Sequence, residues 1–236
     1  MKVVPMIFNT DMVKALMAGD KLVTRRPVSP QPEPSDYGYD WWPSKKFGSM
    51  VQVSGFEKID CDYKRDLVEE MARDACPIAN IGDLIYVRET FRLFNHSDEC
   101  GCSDYCSCPP SGTPVYFATC GGDSESKWKS SRHMPRAASR LTLKVTDVRI
   151  ERVQDITEEQ CWKEGVEHID GQFDIHQLSE MAKTFDGTFE DAKALFACLW
   201  DSIYQNWKEN PYVWVIEFEV IHQNVDKYLE SVKEAA

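Results

Sequence analysis

The sequence predicts an α+β fold, in which strand-like and helix-like segments are mixed along one chain. β-branched and aromatic residues crowd into short runs typical of strands, and elsewhere apolar residues recur every three or four positions, as in helices. The clearest patterns are strands at 84–91, 141–153 and 212–221 and an amphipathic helix at 189–207. In the long strand at 141–153, the apolar alternation changes phase near Asp147, which predicts a β-bulge or a bend. We expect one elaborated domain over residues 1–223, followed by a charged tail at 224–236.

The first residues predict a short buried strand followed by a helix. Val3–Phe8 is apolar, and Asn9 or Thr10 offers the side-chain oxygen that caps a helix from Asp11 to Ala18. Gly19 then ends this helix, because glycine readily adopts the left-handed conformation common at helix C-termini. The chain therefore leaves the first helix directly into the segment with the strongest functional signal.

Three stretches break the regular pattern, and we interpret them as insertions near 29–80, 94–113 and 167–188. The first insertion opens with a proline-rich and aromatic-rich stretch at 29–43, which predicts an irregular loop. Its aromatic rings either stack on a base or fold back over the domain as a lid. The remaining predicted elements are a strand at 50–56, a helix at 64–75, a strand at 115–119 and a helix capped by Thr157.

Composition limits the kind of partner. The 236 residues contain 27 Lys and Arg against 39 Asp and Glu, a net charge of −12. This charge opposes non-specific attraction to long nucleic acids, so the expected partner is a small nucleoside, or modified RNA at a local basic patch. We find no signal sequence or membrane span and expect a cytoplasmic protein with no membrane partner. Nine cysteines, an odd number, argue for reduced thiols or a metal site rather than a disulfide framework.

Gly19–Pro27 holds the residues best suited to chemistry. In an extended segment, Thr24 and Arg26 point to one side and Arg25 points to the other. A partly desolvated lysine loses its proton near neutral pH, so Lys21 is suited to activate the Thr24 hydroxyl as a nucleophile. Arg26 is a permanently charged donor that suits a carbonyl, carboxylate or phosphate. The alternative is that these cations complement the carbonyl end of the first helix and lie in water.

A second cluster of reactive side chains is the Cys-x-Cys-x3-Cys-x-Cys array formed by Cys100, Cys102, Cys106 and Cys108. Four thiolates that converge on one soft ion predict a structural Zn²⁺ with no open coordination position. The spacing differs from that of paired Cys-x2-Cys ribbons, and the alternative is a flexible loop with reduced thiols. We expect no cofactor for catalysis.

The one basic concentration of this acidic chain lies between residues 127 and 140. Its Arg136 and Arg140 are candidate substrate-binding residues, together with Arg88 at the end of a predicted strand and Arg25. For Arg88, the alternative is a surface ion pair with Glu89 that has little energetic value.

Gly19, Lys21, Thr24 and Arg26 match the Gly-x-Lys-x-x-(Glu/Thr)-x-Arg pattern of ASCH-domain proteins, and the chain resembles that family. The order of predicted strands and helices is similar along the whole chain, above all to long ASCH-like proteins of phages and prophages. The resemblance implies a PUA-like mixed β-barrel flanked by helices, here with long insertions. It also implies an association with RNA or modified nucleosides, and a bacterial host cell as the location if the protein is phage-encoded.

Small bacterial ASCH proteins that hydrolyse N(4)-acetylcytidine use a lysine, a threonine and a glutamate. Lys21 and Thr24 fall on the first two positions, and Glu164 occupies the third, at the end of the helix capped by Thr157. The resemblance therefore implies an amidohydrolase for an N-acylated nucleoside, with Thr24 as nucleophile, Lys21 as base and Glu164 as acid or base. This chain is much longer than those hydrolases, and its insertions are able to reshape the pocket. The alternative is a non-catalytic phage ASCH-domain binder of RNA or modified nucleosides.

Overall fold

The structure of the protein, a computed structural model, describes residues 1–101, 106–121, 127–166, 175–185, 187–188 and 191–234. Its strands are β1 (Val3–Ile7), β2 (Val23–Pro27), β3 (Glu33–Pro34), β4 (Asp40–Ser44), β5 (Ser49–Gln52), β6 (Leu84–Arg88), β7 (Phe91–Leu93), β8 (Pro114–Tyr116), β9 (Thr142–Arg152) and β10 (Tyr212–Ile221). Its α-helices are α1 (Thr10–Ala18), α2 (Asp62–Asp74), α3 (His96–Glu99), α4 (Phe117–Cys120), α5 (Glu158–Lys163), α6 (Ile175–Thr184), α7 (Ala192–Tyr204) and α8 (Val225–Glu234). The predicted α+β class is confirmed.

Five strands form one mixed sheet in the order β1-β6-β9-β10-β2. β1 runs parallel to β6, and the other neighbours are antiparallel. Among the described strands, β1 and β2 are the two edges and share no ladder, so the barrel implied by the family resemblance is corrected to an open sheet. A side chain bridges these edges where a ladder would close them: Arg26 Nη2 donates to the Ile7 carbonyl at 3.2 Å.

The sheet is buried on both faces, as the side chains of β10 show. Trp214 and Ile216 enter the larger core on one face. Val213 and Val215 enter a second core on the other face, where α5 and α7 cover the sheet. This two-sided burial explains why β10 is a nearly continuous apolar run in the sequence rather than an alternating one.

The long strand β9 contains the predicted irregularity. Glu217 of β10 lies opposite Asp147, whereas the next residue, Phe218, lies opposite Val145. β9 therefore has one extra residue at Thr146, and the predicted β-bulge near Asp147 is confirmed.

The stretch at 29–43 is more regular than predicted. It contributes β3 and β4, which join β5 in a separate three-stranded sheet. Trp42 is buried, and its ring packs edge-to-face on Trp214 with 5.5 Å between centroids. The prediction of an irregular loop was therefore wrong, because tertiary packing of the aromatic residues outweighs the turn tendency of the prolines.

Two further segments refine the predicted topology. Residues 115–119 were expected to form one strand, but they divide between β8, which pairs with β7 in a separate two-stranded sheet, and α4. The insertion near 167–188 lies partly outside the described residues, and its described part contains α6. In the described ranges, no helix is both long and apolar enough to cross a membrane.

Candidate functional site

Lys21 and Glu164, two of the three predicted catalytic residues, lie together in the protein interior. Lys21 is 0% exposed and Glu164 is 3% exposed. Lys21 Nζ donates to Glu164 Oε2 at 2.7 Å and to the Glu164 backbone carbonyl at 2.8 Å. Residues from distant parts of the chain therefore form one buried, hydrogen-bonded ion pair.

The ends of α1 and α5 create this contact. Gly19 ends α1 with a φ of +88°, and the Lys21 N–H bonds back to the Ala15 carbonyl at 3.2 Å. Glu164 ends α5, and Gly165 after it has a φ of +81°. A Cβ added at Gly165 would lie 2.7 Å from the Ala15 Cβ, so the absence of a side chain lets the two helix ends approach this closely.

Arg25 holds the other side of the Glu164 carboxylate. Its Nη1 donates to Glu164 Oε1 at 3.2 Å, and its Nη2 donates to Gln160 at 2.8 Å and to Glu151 at 3.2 Å. Its guanidinium also lies over the Phe196 ring, 5.9 Å from the centroid. Arg25 Nε is buried and has no hydrogen-bond partner in the described part of the chain. The Glu164 carboxylate is therefore held by a cation at each oxygen, while one Arg25 donor stays unused.

The strand register confirms the predicted alternation of β2. Thr24 lies opposite Ile216, on the face of the larger core, whereas Arg25 lies opposite Val215 on the other face. Thr24 is 1% exposed, and no hydrogen bond to its hydroxyl is found among the described residues. Two of the three hydrogen-bonding positions of Lys21 Nζ are used by Glu164, which leaves one for a further partner.

Burial sets the protonation tendency of the site. Removal of Lys21 from water lowers its pKa below the ordinary value of 10.5, even though the Glu164 carboxylate acts in the opposite direction. The positive charges of Arg26 and Arg25 lower this pKa further. At neutral pH, the neutral amine is therefore more abundant than in an exposed lysine, and a neutral amine is able to accept a proton.

A small cavity lies beside Thr24. Thr24, Arg25, Arg26 and Glu164 line it together with Met12 of α1 and with residues of α7: Phe196, Leu199, Trp200, Ile203 and Tyr204. Because β2 is an edge strand, side chains from both of its faces reach this one space. The cavity volume is about 20 Å³, enough for a single water molecule but not for a nucleoside.

A much larger cleft adjoins this cavity. Its volume is about 850 Å³, within the range of small-molecule sites. It lies between the two edges of the open sheet, since Pro5–Ile7 of β1 and Arg26 and Pro27 of β2 all line it. The cleft and the small cavity share four lining residues, Met12, Arg26, Ile203 and Tyr204. These four side chains therefore form the boundary between a substrate-sized space and Thr24.

The other predicted substrate-binding arginines have different surroundings. Arg88 lines the large cleft and donates to the Arg132 carbonyl. Arg136 forms an ion pair with Asp226 of α8, and Arg140 forms one with the buried Glu89. Neither Arg136 nor Arg140 lines the cleft or the small cavity. The structure thus brings Arg25, Arg26 and Arg88 to these two spaces and places the last two arginines elsewhere.

The cysteine array forms a partly different cluster from the predicted one. The ligand atoms of His96, Cys100 and Cys106 lie within 4.8 Å of one another, an arrangement suited to a metal ion. Cys108 donates its backbone N–H to Cys106 Sγ at 3.2 Å. Cys102, also predicted as a ligand, lies outside the described residues.

Sequence reasoning missed several of these residues. His96 lies four residues before Cys100, and this His-x3-Cys spacing is a signal that would have identified it. Trp200 and Tyr204 lie on the predicted amphipathic helix at 189–207 without any signal that marks them as cavity residues, yet both rings line the small cavity. Gln160 carried no sequence signal beyond its place in the first turn of α5, where its side chain also completes the capping box of Thr157.

Comparisons with protein-family models, with curated proteins and with solved structures found no match to this chain.

Proposed function

We propose that this protein is an amidohydrolase that removes the acyl group from an N-acylated nucleoside such as N(4)-acetylcytidine. The observation that carries this proposal is that Thr24 lines the same small cavity as Glu164, the partner of the fully buried Lys21, and that the Thr24 hydroxyl has no hydrogen-bond partner in the described part of the chain. A base, the residue that holds it and a hydroxyl nucleophile are the components of nucleophilic acyl transfer. The ASCH-like pattern of the sequence supports the choice of substrate.

In the proposed first step, the neutral Lys21 amine takes the Thr24 hydroxyl proton as Thr24 Oγ1 attacks the acyl carbonyl carbon. Arg26, or the unused Nε of Arg25, donates to the oxyanion that forms. The tetrahedral intermediate then collapses, the C–N bond breaks, and the exocyclic amine leaves with the proton returned by Lys21. This step yields the free nucleoside and an acyl ester on Thr24.

In the second step, water attacks the Thr24 ester and gives its proton to Lys21, which passes it to the Thr24 oxygen as the carboxylic acid leaves. Glu164 accepts two hydrogen bonds from Lys21 Nζ. As an acid or base, Glu164 would therefore exchange its proton with Lys21 and not directly with the substrate. The acyl group would enter the small cavity, and the nucleoside would occupy the adjoining cleft. Because the cavity volume is only about 20 Å³, Met12, Ile203 and Tyr204 would have to shift to admit the acyl group.

A non-catalytic binder of modified nucleosides or RNA is the second candidate. The observation that favours it is the size of the cavity at Thr24, which α7 side chains restrict to about 20 Å³. In this case the ligand occupies only the large cleft, where Arg26 and Arg88 supply positive charge. Neither candidate function assigns a step to a metal. Separately from either function, we propose a structural Zn²⁺ at His96, Cys100 and Cys106.

The test is hydrolysis of N(4)-acetylcytidine by the full-length protein, with cytidine release followed by chromatography. We expect Thr24→Val, Lys21→Met and Glu164→Gln to lower the rate by at least about 100-fold, the usual minimum for loss of a catalytic acid or base. Thr24→Ser should retain measurable activity, because it keeps the hydroxyl.

Glu89→Gln is the matched control, since Glu89 is also a buried glutamate paired with an arginine but lines neither space. It should leave the rate unchanged. Cytidine release by Thr24→Val at the wild-type rate would contradict the mechanism. If the wild type binds N(4)-acetylcytidine in calorimetry without releasing cytidine, the binder proposal replaces the hydrolase.

A further inference from the structure

The connection between β7 and β8 brings histidine and cysteine side chains together, away from the candidate active site. The Sγ atoms of Cys100 and Cys106 are 3.1 Å apart, and the nearest ligand atom of His96 lies within 4.8 Å of both. Zinc with Zn–S bonds of about 2.3 Å and tetrahedral angles holds two sulfur ligands roughly 3.8 Å apart. The two sulfurs are closer than this by less than 1 Å, and the His96 ligand atom lies within 4.8 Å of both, so side-chain shifts of about 1 Å satisfy the geometry.

The local backbone explains why these groups meet. His96 opens α3, and Cys100 follows four residues later, so both side chains lie on one side of a helical turn. Beyond the short strands, Phe94 continues the pairing of β7 with β8: its N–H bonds to the Thr113 carbonyl at 2.8 Å, and its carbonyl accepts from the Gly112 N–H at 2.8 Å. This pairing closes the connection into a loop and holds both of its ends.

Cys108 lies next to this cluster. Its N–H donates to Cys106 Sγ at 3.2 Å. A backbone N–H that donates to a coordinating sulfur stabilises the thiolate form, as outer hydrogen bonds do in metal sites generally. The ligand atoms that lie within 4.8 Å of one another belong to His96, Cys100 and Cys106, so the neighbouring Cys108 thiol has to turn towards them to complete a set of four ligands.

The described residues of this loop gain little stability from burial. Between residues 95 and 113, no side chain that the structure describes is buried. A segment without buried apolar groups gains little from the hydrophobic effect, and metal coordination is the usual substitute in small loops.

We propose that His96, Cys100, Cys106 and Cys108 bind one Zn²⁺ ion, which fixes the connection between β7 and β8. Three sulfurs and one imidazole in tetrahedral geometry favour zinc over harder cations such as Mg²⁺ or Ca²⁺. Four protein ligands leave no open position, so the ion is structural. The site shares no residue with the cleft or the cavity beside Thr24, and this proposal therefore does not depend on the proposed hydrolase.

The test uses the full-length protein, purified under reducing conditions, stripped with a chelator and titrated anaerobically with Co²⁺ and then Zn²⁺. We expect about one equivalent of Co²⁺ to produce the intense absorption bands of tetrahedral thiolate coordination, and Zn²⁺ to displace it. His96→Ala, Cys106→Ser and Cys108→Ser should each weaken zinc binding by more than about tenfold, since even changes in outer-sphere partners have effects of that size.

Two cysteines outside the proposed set serve as controls. Cys61→Ser removes an exposed thiol elsewhere in the chain, and Cys102→Ser removes the remaining thiol of the array; both should keep one bound ion. His96→Cys should keep the ion and shift the Co²⁺ spectrum towards that of four sulfur ligands. This gain of a thiolate band distinguishes a ligand from a residue needed only for folding.

Three results would overturn the proposal. The first is a wild-type protein that takes up neither Co²⁺ nor Zn²⁺, and the second is a His96→Ala variant with unchanged affinity and spectrum. The third is a disulfide between Cys100 and Cys106, detected by alkylation and mass spectrometry in the anaerobically prepared protein. Loss of the ion in Cys102→Ser but not in Cys108→Ser would refute the assignment of Cys108 as the fourth ligand.

Discussion

Glu89 and Glu164 are both buried glutamates paired with arginine, but their surroundings differ in one respect. Glu89 receives both of its charged hydrogen bonds from Arg140, at 2.8 and 2.9 Å, and Arg140 in turn donates to Thr119 and lies over the Tyr116 ring. The hydrogen-bonding groups of Glu89, Arg140 and Thr119 are thus paired with one another.

Glu164 divides its oxygens between Lys21 and Arg25, beside a cavity and a Thr24 hydroxyl with no partner in the described ranges. The first arrangement uses its hydrogen-bonding capacity to hold the fold, whereas the second retains unused donors and acceptors. A buried ion pair therefore indicates a candidate active site only when some of its hydrogen-bond donors or acceptors have no partner.

The largest expected difference between the two clusters is in stability. Glu164→Ala leaves Lys21 buried without a carboxylate and removes one of the two carboxylates that pair with Arg25, so we expect the free energy of unfolding to fall by about 3–5 kcal/mol. Glu89→Ala should cost less, because Arg140 is 20% exposed and is able to recover hydration. Urea denaturation of both variants measures the difference, and equal losses would show that the clusters are energetically alike.

Gly165→Ala tests the close approach that creates the first cluster. We expect a loss of about 2–4 kcal/mol, from the positive φ and from the contact of the new Cβ with Ala15. Gly82→Ala is the matched control, since Gly82 has a φ of +83° but open space around the added Cβ. It should lose about 1–2 kcal/mol in the same thermal or urea unfolding experiment. Similar losses for both variants would mean that the approach of α1 to α5 tolerates a side chain.

The pH dependence of stability should also separate the clusters. The folded-state pKa of Lys21 lies below its unfolded value, so between these two pKa values the unfolded state binds more protons. The free energy of unfolding of the wild type, minus that of Lys21→Met, should therefore rise as pH increases towards 10.5. Arg140→Met should show no such slope relative to the wild type, because arginine does not titrate in this window. A flat difference for Lys21→Met would contradict the lowered pKa.

The smallest expected effect is that of Arg140→Lys. A lysine cannot reproduce the two parallel hydrogen bonds that Arg140 makes with Glu89, so we expect a loss of about 0.5–1.5 kcal/mol. Amide hydrolysis should be unaffected, since Arg140 lines neither the cavity nor the cleft. If activity falls by more than the fraction of folded protein does, the Glu89–Arg140 cluster contributes to the candidate active site at Thr24.

The sequence predicts local features of the site better than its long-range contacts. The spacing of Lys21 and Thr24 and the helix end at Gly19 follow from short-range patterns, and the structure agrees with their local geometry. The contact of Lys21 with Glu164 was expected only through the family resemblance, because it depends on the packing of two helix ends around Gly165.

The same limit explains the errors in the predicted fold. Residues 29–43 contain turn-forming prolines, whereas their pairing as strands and the packing of Trp42 on Trp214 depend on residues outside this segment. Barrel closure is likewise not encoded in the pattern of any one strand. It depends on whether the first and last strands of the sheet meet, and among the described residues Arg26 lies between them instead.

The open sheet also has consequences for association. Each edge strand carries a proline, Pro5 in β1 and Pro27 in β2, and a proline has no N–H to donate to a further strand. Unprotected sheet edges recruit strands from other molecules and promote aggregation. These two prolines discourage such strand addition, and so does the Arg26 side chain, which lies between β1 and β2. The cleft between the two edge strands therefore stays open without an edge that readily pairs with strands of other molecules.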